Sequence, residues 1–168
     1  VDLARALGAE LEVPVELVCV DAARKSVDAI ATGAVDVVFV AVDPGRAEQL
    51  AFTEPYVLIE GMYAVPGDSA IGGVDDVDRP GVRIGAKLGS AYDLHLTRHL
   101  RRAEVVRGDE GTEAFERHGL EVAAGIRQPL AEYAAVLLDD RHGLIGQVPE
   151  AVMDEDGLVV PVMRREWV

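Results

Sequence analysis

Two short stretches hold the residue types best suited to grip a charged small molecule. The first is Lys87-Leu88-Gly89-Ser90, where a β-branched run gives way to helical spacing. A helix starting there presents unpaired backbone N–H groups and the positive end of its dipole, and Gly89, lacking a Cβ, lets a ligand approach the backbone. A carboxylate suits such a place. The plainer reading is that Ser90 simply caps the helix, as Ser does at many helix starts. The stretch is no phosphate loop, because neither G-x-G-x-x-G nor G-x-x-x-x-G-K-[ST] occurs.

The second stretch is Asp43-Pro44-Gly45-Arg46, a turn by composition, directly after an apolar run. Open α/β sheets place ligands at strand ends of this kind, and the planar guanidinium of Arg46 can hold a carboxylate through two charge-assisted hydrogen bonds. An exposed surface Arg is the alternative, with Asp43 as its ion-pair partner. Arg127 follows the apolar run 120–124 in the same way, so an anion held between two such arginines is one reading and a surface charge the other. Tyr56 and Tyr92 follow the Arg46 and Ser90 stretches closely, although tyrosines more often fill cores.

Other chemistry has less support. His95 and His99 are spaced to share a metal on one helix, but no third ligand follows, which favours solvated residues and no metal site. His118 and His142 have no partners in sequence. There is no G-x-S-x-G, so a serine hydrolase is not indicated. Cys19, between Val18 and Val20, reads as a core residue, and as the single cysteine it excludes an intramolecular disulfide and a cysteine zinc site. For acid–base catalysis only Lys87, Asp43 and Glu60 stand near the two stretches.

The elements that must position these residues alternate along the chain. Val1, Leu3, Ala4, Leu7 and Leu11 recur at helical spacing, Pro14 ends the helix, and 15–20 (VELVCV) reads as a buried strand. A helix over 22–32 ends at Gly33. The nearly unbroken apolar run 35–42 reads as a strand covered on both faces, as in parallel sheets. A long apolar stretch, 57–65, leads into the loop-rich passage 66–81. Strands at 82–86, 103–106 and 120–124 alternate with helices at 90–101 and 109–117, spelling βαβαβ. A helix over 129–136 and short strands at 144–145 and 158–162 complete the reading, and the fold class is α/β.

Composition sets the outer limits. The 168 residues, 49% hydrophobic and 27% charged, suit one globular domain rather than a disordered or membrane-spanning chain. Sixteen basic against thirty acidic residues give a net charge of −14, a field that repels nucleic acid and anionic lipid. The charge divides evenly, −7 over residues 1–64 and −7 over 65–168, so it reads as solvated surface rather than an acidic tail. No export signal and no apolar run of spanning length is present in these residues.

Together the segments VDLARALGAELEVPVELV, DAIATGAVDVVFVAVDPGRAEQLAFTEPYV and VDRPGVRIGAKLGSAYDLHL resemble the extracellular solute-binding proteins that deliver amino acids and related solutes to ABC importers. The resemblance runs over roughly residues 1–137 and is most specific from Arg46 to Tyr56. It implies a two-lobed, type II periplasmic-binding-protein-like fold, with lobe one at 1–65 lacking its first strand. A connection at 66–81 and lobe two at 82–126 follow, with a return toward lobe one over 127–168. Such a pattern fits a fragment, or a record of ordered residues alone.

By the same resemblance Arg46 binds a ligand carboxylate and Ser90 assists; Gly89, Ala41, Arg127 and Tyr92, which stand beside these stretches or in the matching place of the second half, are the further candidate ligand contacts. The family often has an acid after the third strand of lobe two for the ligand ammonium. Here 122–127 has none, and Val40 and Ala41 stand where hydroxyl residues are common, so a more apolar ligand, or one with a second acidic group facing Arg127, fits better. The implied partners are a small anionic or zwitterionic solute and a membrane permease, for a monomeric periplasmic or extracellular protein without cofactor. A dehydratase on the same scaffold and a sensory receptor domain are the alternatives.

Overall fold

Strand-length apolar runs separated by helices assemble into two sheets in the computed structural model, which describes residues 1–59, 61–137 and 158–164. In the first half, α1 (Asp2–Glu10) and α2 (Ala23–Ala31) precede β1 (Val37–Ala41), the single turn α3 (Pro44–Ala47), β2 (Leu50–Phe52) and β3 (Val57–Leu58). Then come β4 (Gly61–Ala64), a 3-10 turn at Val74–Asp76, β5 (Arg83–Lys87), α4 (Ala91–His99), β6 (Glu104–Gly108), α5 (Gly111–His118), β7 (Val122–Ile126), α6 (Arg127–Leu137) and β8 (Leu158–Arg164).

β8 organises the first sheet: β1 pairs with it from Val37↔Met163 to Ala41↔Val159, and β2 and β3 pair with it as well, all antiparallel. The expectation of a parallel sheet here is therefore corrected. An unbroken apolar run signals burial on both faces but carries no strand direction. Ile30 of α2 packs with Val38, Val40 and Leu50 to form this half's core.

The second sheet has the order β4-β7-β5-β6, with β5, β6 and β7 parallel and β4 antiparallel to β7. Parallel neighbours need crossovers, and α4 and α5 supply them. Side chains alternate between its faces: Tyr63, Ile84, Val122 and Ala124 join Tyr92 and Leu96 on one side, while Met62, Ala64, Ala123 and Leu130 pack on the other. Two glycines permit close approach of α5: a Cβ on Gly111 would lie 2.4 Å from the Ala124 carbonyl oxygen, and one on Gly85 would lie 2.4 Å from that of Gly111.

Three expectations change. Residues 13–20 form neither helix nor strand and pair with no strand among the described residues, with Val15, Leu17, Val18 and Val20 at least 40% exposed, because β-branched apolar residues cannot make a ladder without a partner strand. Cys19 lies in that segment and is exposed rather than core. The run 57–65, read as part of the first lobe, divides: β3 joins the first sheet and β4 the second, so the crossing between halves falls between Leu58 and Gly61 rather than after residue 65. The strand expected at 144–145 lies outside the described residues. No helix among the described residues is long and apolar enough to cross a membrane.

Candidate functional site

Both stretches singled out for their chemistry lie just beyond the C-terminal ends of strands. Asp43 to Arg46 follow β1, and instead of an open turn they form α3, because the Asp43 carboxylate caps it, accepting from the backbone N–H of Gly45 (2.9 Å) and Arg46 (3.3 Å). Leu88 to Ser90 follow β5 and make a turn in which the Ser90 N–H donates to the Lys87 carbonyl at 3.1 Å. Gly89 takes φ +69°, a left-handed conformation that favours glycine.

Arg46 brings the two together. It is only 6% exposed, and its guanidinium donates through Nη1 to the Ala41 carbonyl and through Nη2 to the Gly89 carbonyl, each at 2.9 Å. A side chain of the first half thus bonds a turn of the second. Burial lowers the Arg46 pKa, Asp43 opposes the shift and Arg98 adds to it, yet an arginine stays protonated in any such setting. Arg24 of α2 also meets this turn, since a Cβ on Gly89 would lie 3.0 Å from the Cβ of Arg24.

Ser90 is buried and serves as the N-cap of α4, its Oγ accepting from the Asp93 N–H at 3.1 Å. Its own N–H closes the turn on the Lys87 carbonyl and so is not among the unpaired amides of this helix start. Tyr92 is buried in the core of the second half. Burial raises its phenol pKa, and the hydrogen bond with Ser90 partly offsets this. Arg127 is exposed at the start of α6, immediately after β7, which neighbours β5 and so brings it to the same sheet edge as Gly89.

Sequence reasoning missed Asp93 and Arg98. Asp93, 3% exposed, accepts the Gly89 N–H at 2.8 Å and pairs with Arg107 Nε at 2.9 Å. The spacing Ser90-x-x-Asp93 is a capping-box signature that could have found it. Arg98 Nη1 lies 2.5 Å from Asp43 Oδ2 across 55 residues of sequence, a pairing with no local signal. Lys87 pairs with Glu110. His95 and His99 stack at 4.0 Å between ring centroids, and no cluster of three metal-ligating side chains occurs among the described residues. They line a cavity of about 460 Å³ with Tyr63, Val77 and Leu96 that includes none of the six residues expected to bind ligand.

Comparison with known proteins gives this arrangement a family. The family model of bacterial extracellular solute-binding proteins, family 3, matches residues 1–165. No curated protein sequence matches significantly. Among solved structures, an ancestral arginine-binding protein bound to arginine is 22% identical with a TM-score of 0.75, the match covering 98% of this chain and 73% of that one. The arginine-bound Gly52Ala mutant of ArgBP from T. maritima is 20% identical with a TM-score of 0.70, covering 98% and 76%. The ancestral amino acid-binding protein AncCDT-1, a precursor of cyclohexadienyl dehydratase, is 23% identical with a TM-score of 0.70, covering 98% and 69%. At these identities the structural likeness shows the fold, and the family match over 165 residues shows the family. The chain belongs to the bacterial extracellular solute-binding proteins of family 3.

Proposed function

We propose that this family 3 solute-binding chain takes a small carboxylate-bearing solute, an amino acid or a related organic acid, where Arg46 meets the Gly89–Ser90 turn. It then presents that solute to the permease of an ABC importer outside the cytoplasmic membrane. The observation that carries the reading is the buried Arg46 guanidinium, which spans the two halves through the carbonyls of Ala41 and Gly89. A cation held out of water at a junction of two sheets favours an anionic group more strongly than a solvated one would, because charge-assisted bonds gain strength as the local dielectric falls.

The arrangement also bears on the lyase alternative. A dehydratase needs an acid or base free to exchange a proton in the crevice. Asp43 is engaged by the Gly45 and Arg46 N–H groups and by Arg98, Asp93 by the Gly89 N–H and Arg107, and Lys87 by Glu110, while Glu60 lies outside the described residues; the described candidates serve the scaffold, which favours binding. Isothermal titration against amino acids and small organic acids tests the proposal. Binding of one or more, lost in Arg46→Ala, is expected. A chain that binds none of them, or an Arg46→Ala variant that binds as well as the parent, overturns it.

A further inference from the structure

An acid three residues from a buried arginine would ordinarily cancel its charge. Asp43 stands in that relation to Arg46 and is itself only 2% exposed, yet its carboxylate is committed elsewhere. Oδ1 accepts the two backbone N–H groups at the start of α3, and Oδ2 accepts from Arg98 Nη1 at 2.5 Å. Arg98 belongs to α4 in the second half, so this ion pair, like the bond from Arg46 to Gly89, ties the two sheets together. Two arginines and one aspartate leave the cluster one net positive charge.

We propose that Arg98 is a positioning residue with two effects. By neutralising Asp43 it leaves the charge of Arg46 uncancelled for an anionic ligand, and by holding α4 to α3 it keeps the Gly89 turn against the Arg46 guanidinium. Without Arg98, a buried carboxylate loses its cation and draws Arg46, the charge three residues away, off the Ala41 and Gly89 carbonyls. Lysine at position 98 restores the charge but not the fork, so it rescues in part. The first effect rests on the function proposed above, whereas the second stands on the geometry alone.

The test has one arm for each effect. Nitroxides on Ala31→Cys in α2 and on Glu104→Cys in β6, in a Cys19→Ser background, report the separation of the halves in the ligand-free 168-residue chain, with circular dichroism as the check on folding. The parent is expected to give one narrow distance distribution, Arg98→Ala a broader and longer one, and Arg98→Lys an intermediate one. If Arg98→Ala does not fold, broadening in Arg98→Lys between 0.15 and 1 M salt, roughly the span over which ion pairs become screened, is the supporting result. An unchanged distribution in Arg98→Ala, or no salt response in a folded Arg98→Lys, overturns the clasp.

In the second arm L-arginine, L-glutamine, L-lysine and their carboxamides are titrated calorimetrically. For any acid that binds the parent, Arg98→Ala is expected to lose tenfold or more in affinity, with little change for the matching carboxamide. Equal losses for both overturn the electrostatic effect and leave Arg98 with a scaffolding role only. If none of these probes binds, the arm is run with whichever acid of the wider panel binds and its amide; a parent that binds no acid of that panel overturns the proposed ligand class, and the distance arm still decides whether Arg98 holds the halves together.

Discussion

Arg46 Nη2 lies 2.9 Å from the carbonyl oxygen of Gly89, a residue 43 positions further along the chain and on the other sheet. The same turn is held from its other side, where Asp93 takes the Gly89 N–H. The two peptide units flanking the Gly89 Cα are therefore gripped, one by a guanidinium from the first half and the other by a carboxylate from the second, which makes the turn a fixed reference point for anything bound beside it.

Removing the guanidinium tests this grip. Arg46→Ala leaves the Ala41 and Gly89 carbonyls without their donor and abolishes the central charge of the site. A carboxylate ligand that takes two charge-assisted bonds from this guanidinium, at roughly 1.5–3 kcal/mol each, would bind at least about a hundredfold more weakly without them. Calorimetric titration reads the loss, and Arg46→Lys, which keeps charge without the fork, is expected to fall between the two.

Gly89→Ala is expected to strain both partners of the turn. A left-handed backbone costs a non-glycine residue roughly 1–2 kcal/mol, and the new Cβ would press on Arg24 at 3.0 Å. Urea unfolding of the single variants and of Gly89→Ala with Arg24→Gly, which removes the opposing Cβ and whose own helix cost is read from the single Arg24→Gly variant, separates the two effects. The double variant should recover the contact share of the loss and keep the backbone share.

Gly111→Ala probes the packing of α5 on the second sheet. Its Cβ would fall 2.4 Å from the Ala124 carbonyl and 2.9 Å from that of Gly85, and backbone cannot yield as a flexible side chain does. Overpacking of this kind costs about 1–3 kcal/mol. A lowered midpoint of urea unfolding is the expected result, and an unchanged midpoint would show that the helix is less tightly seated.

Acid should weaken the fold partly through Asp78. Its carboxylate accepts the backbone N–H groups of Arg101, Arg102 and Ala103, and those bonds hold its pKa below the ordinary aspartate value. A carboxyl with a depressed pKa in the folded state contributes stability that is fully present above its unfolded pKa and lost as the pH falls through the lower folded one. Urea midpoints should therefore drop below about pH 4. Asp78→Asn should be less stable at neutral pH and show a flatter acid response.

Cys19 offers a direct check on the segment 13–20. An exposed thiol in an unpaired stretch should react fully with a thiol reagent in the folded protein, before any denaturant is added. A thiol that reacts only after unfolding would place the segment in a packed core after all.

The parts of the fold that sequence conveyed are those set by local pattern. The alternation from Arg83 to Ile126 was readable because each strand and helix carries its own periodicity, and Gly89 and Gly119 stand at turns with positive φ. Direction and partnership were not readable. VELVCV has the composition of a strand, but nothing in it names a neighbour, and the division of 57–65 between two sheets depends on β7 and β8, which lie far along the chain. The site divides likewise. Arg46, Gly89 and Ser90 announce themselves by residue type and position, whereas the pairing of Asp43 with Arg98 exists only once both halves are folded.

The central place of β8 has a consequence for how the molecule is made. β1, β2 and β3 all pair with residues 158–164, so the first sheet cannot close until that late segment has left the ribosome. The strands and helices from Gly61 to Ile126, with Leu130 of α6 packed on them, pair over shorter sequence separations, which favour faster assembly. Local contacts therefore favour early assembly of the second half, and Arg46 can meet Gly89 only when both halves have formed.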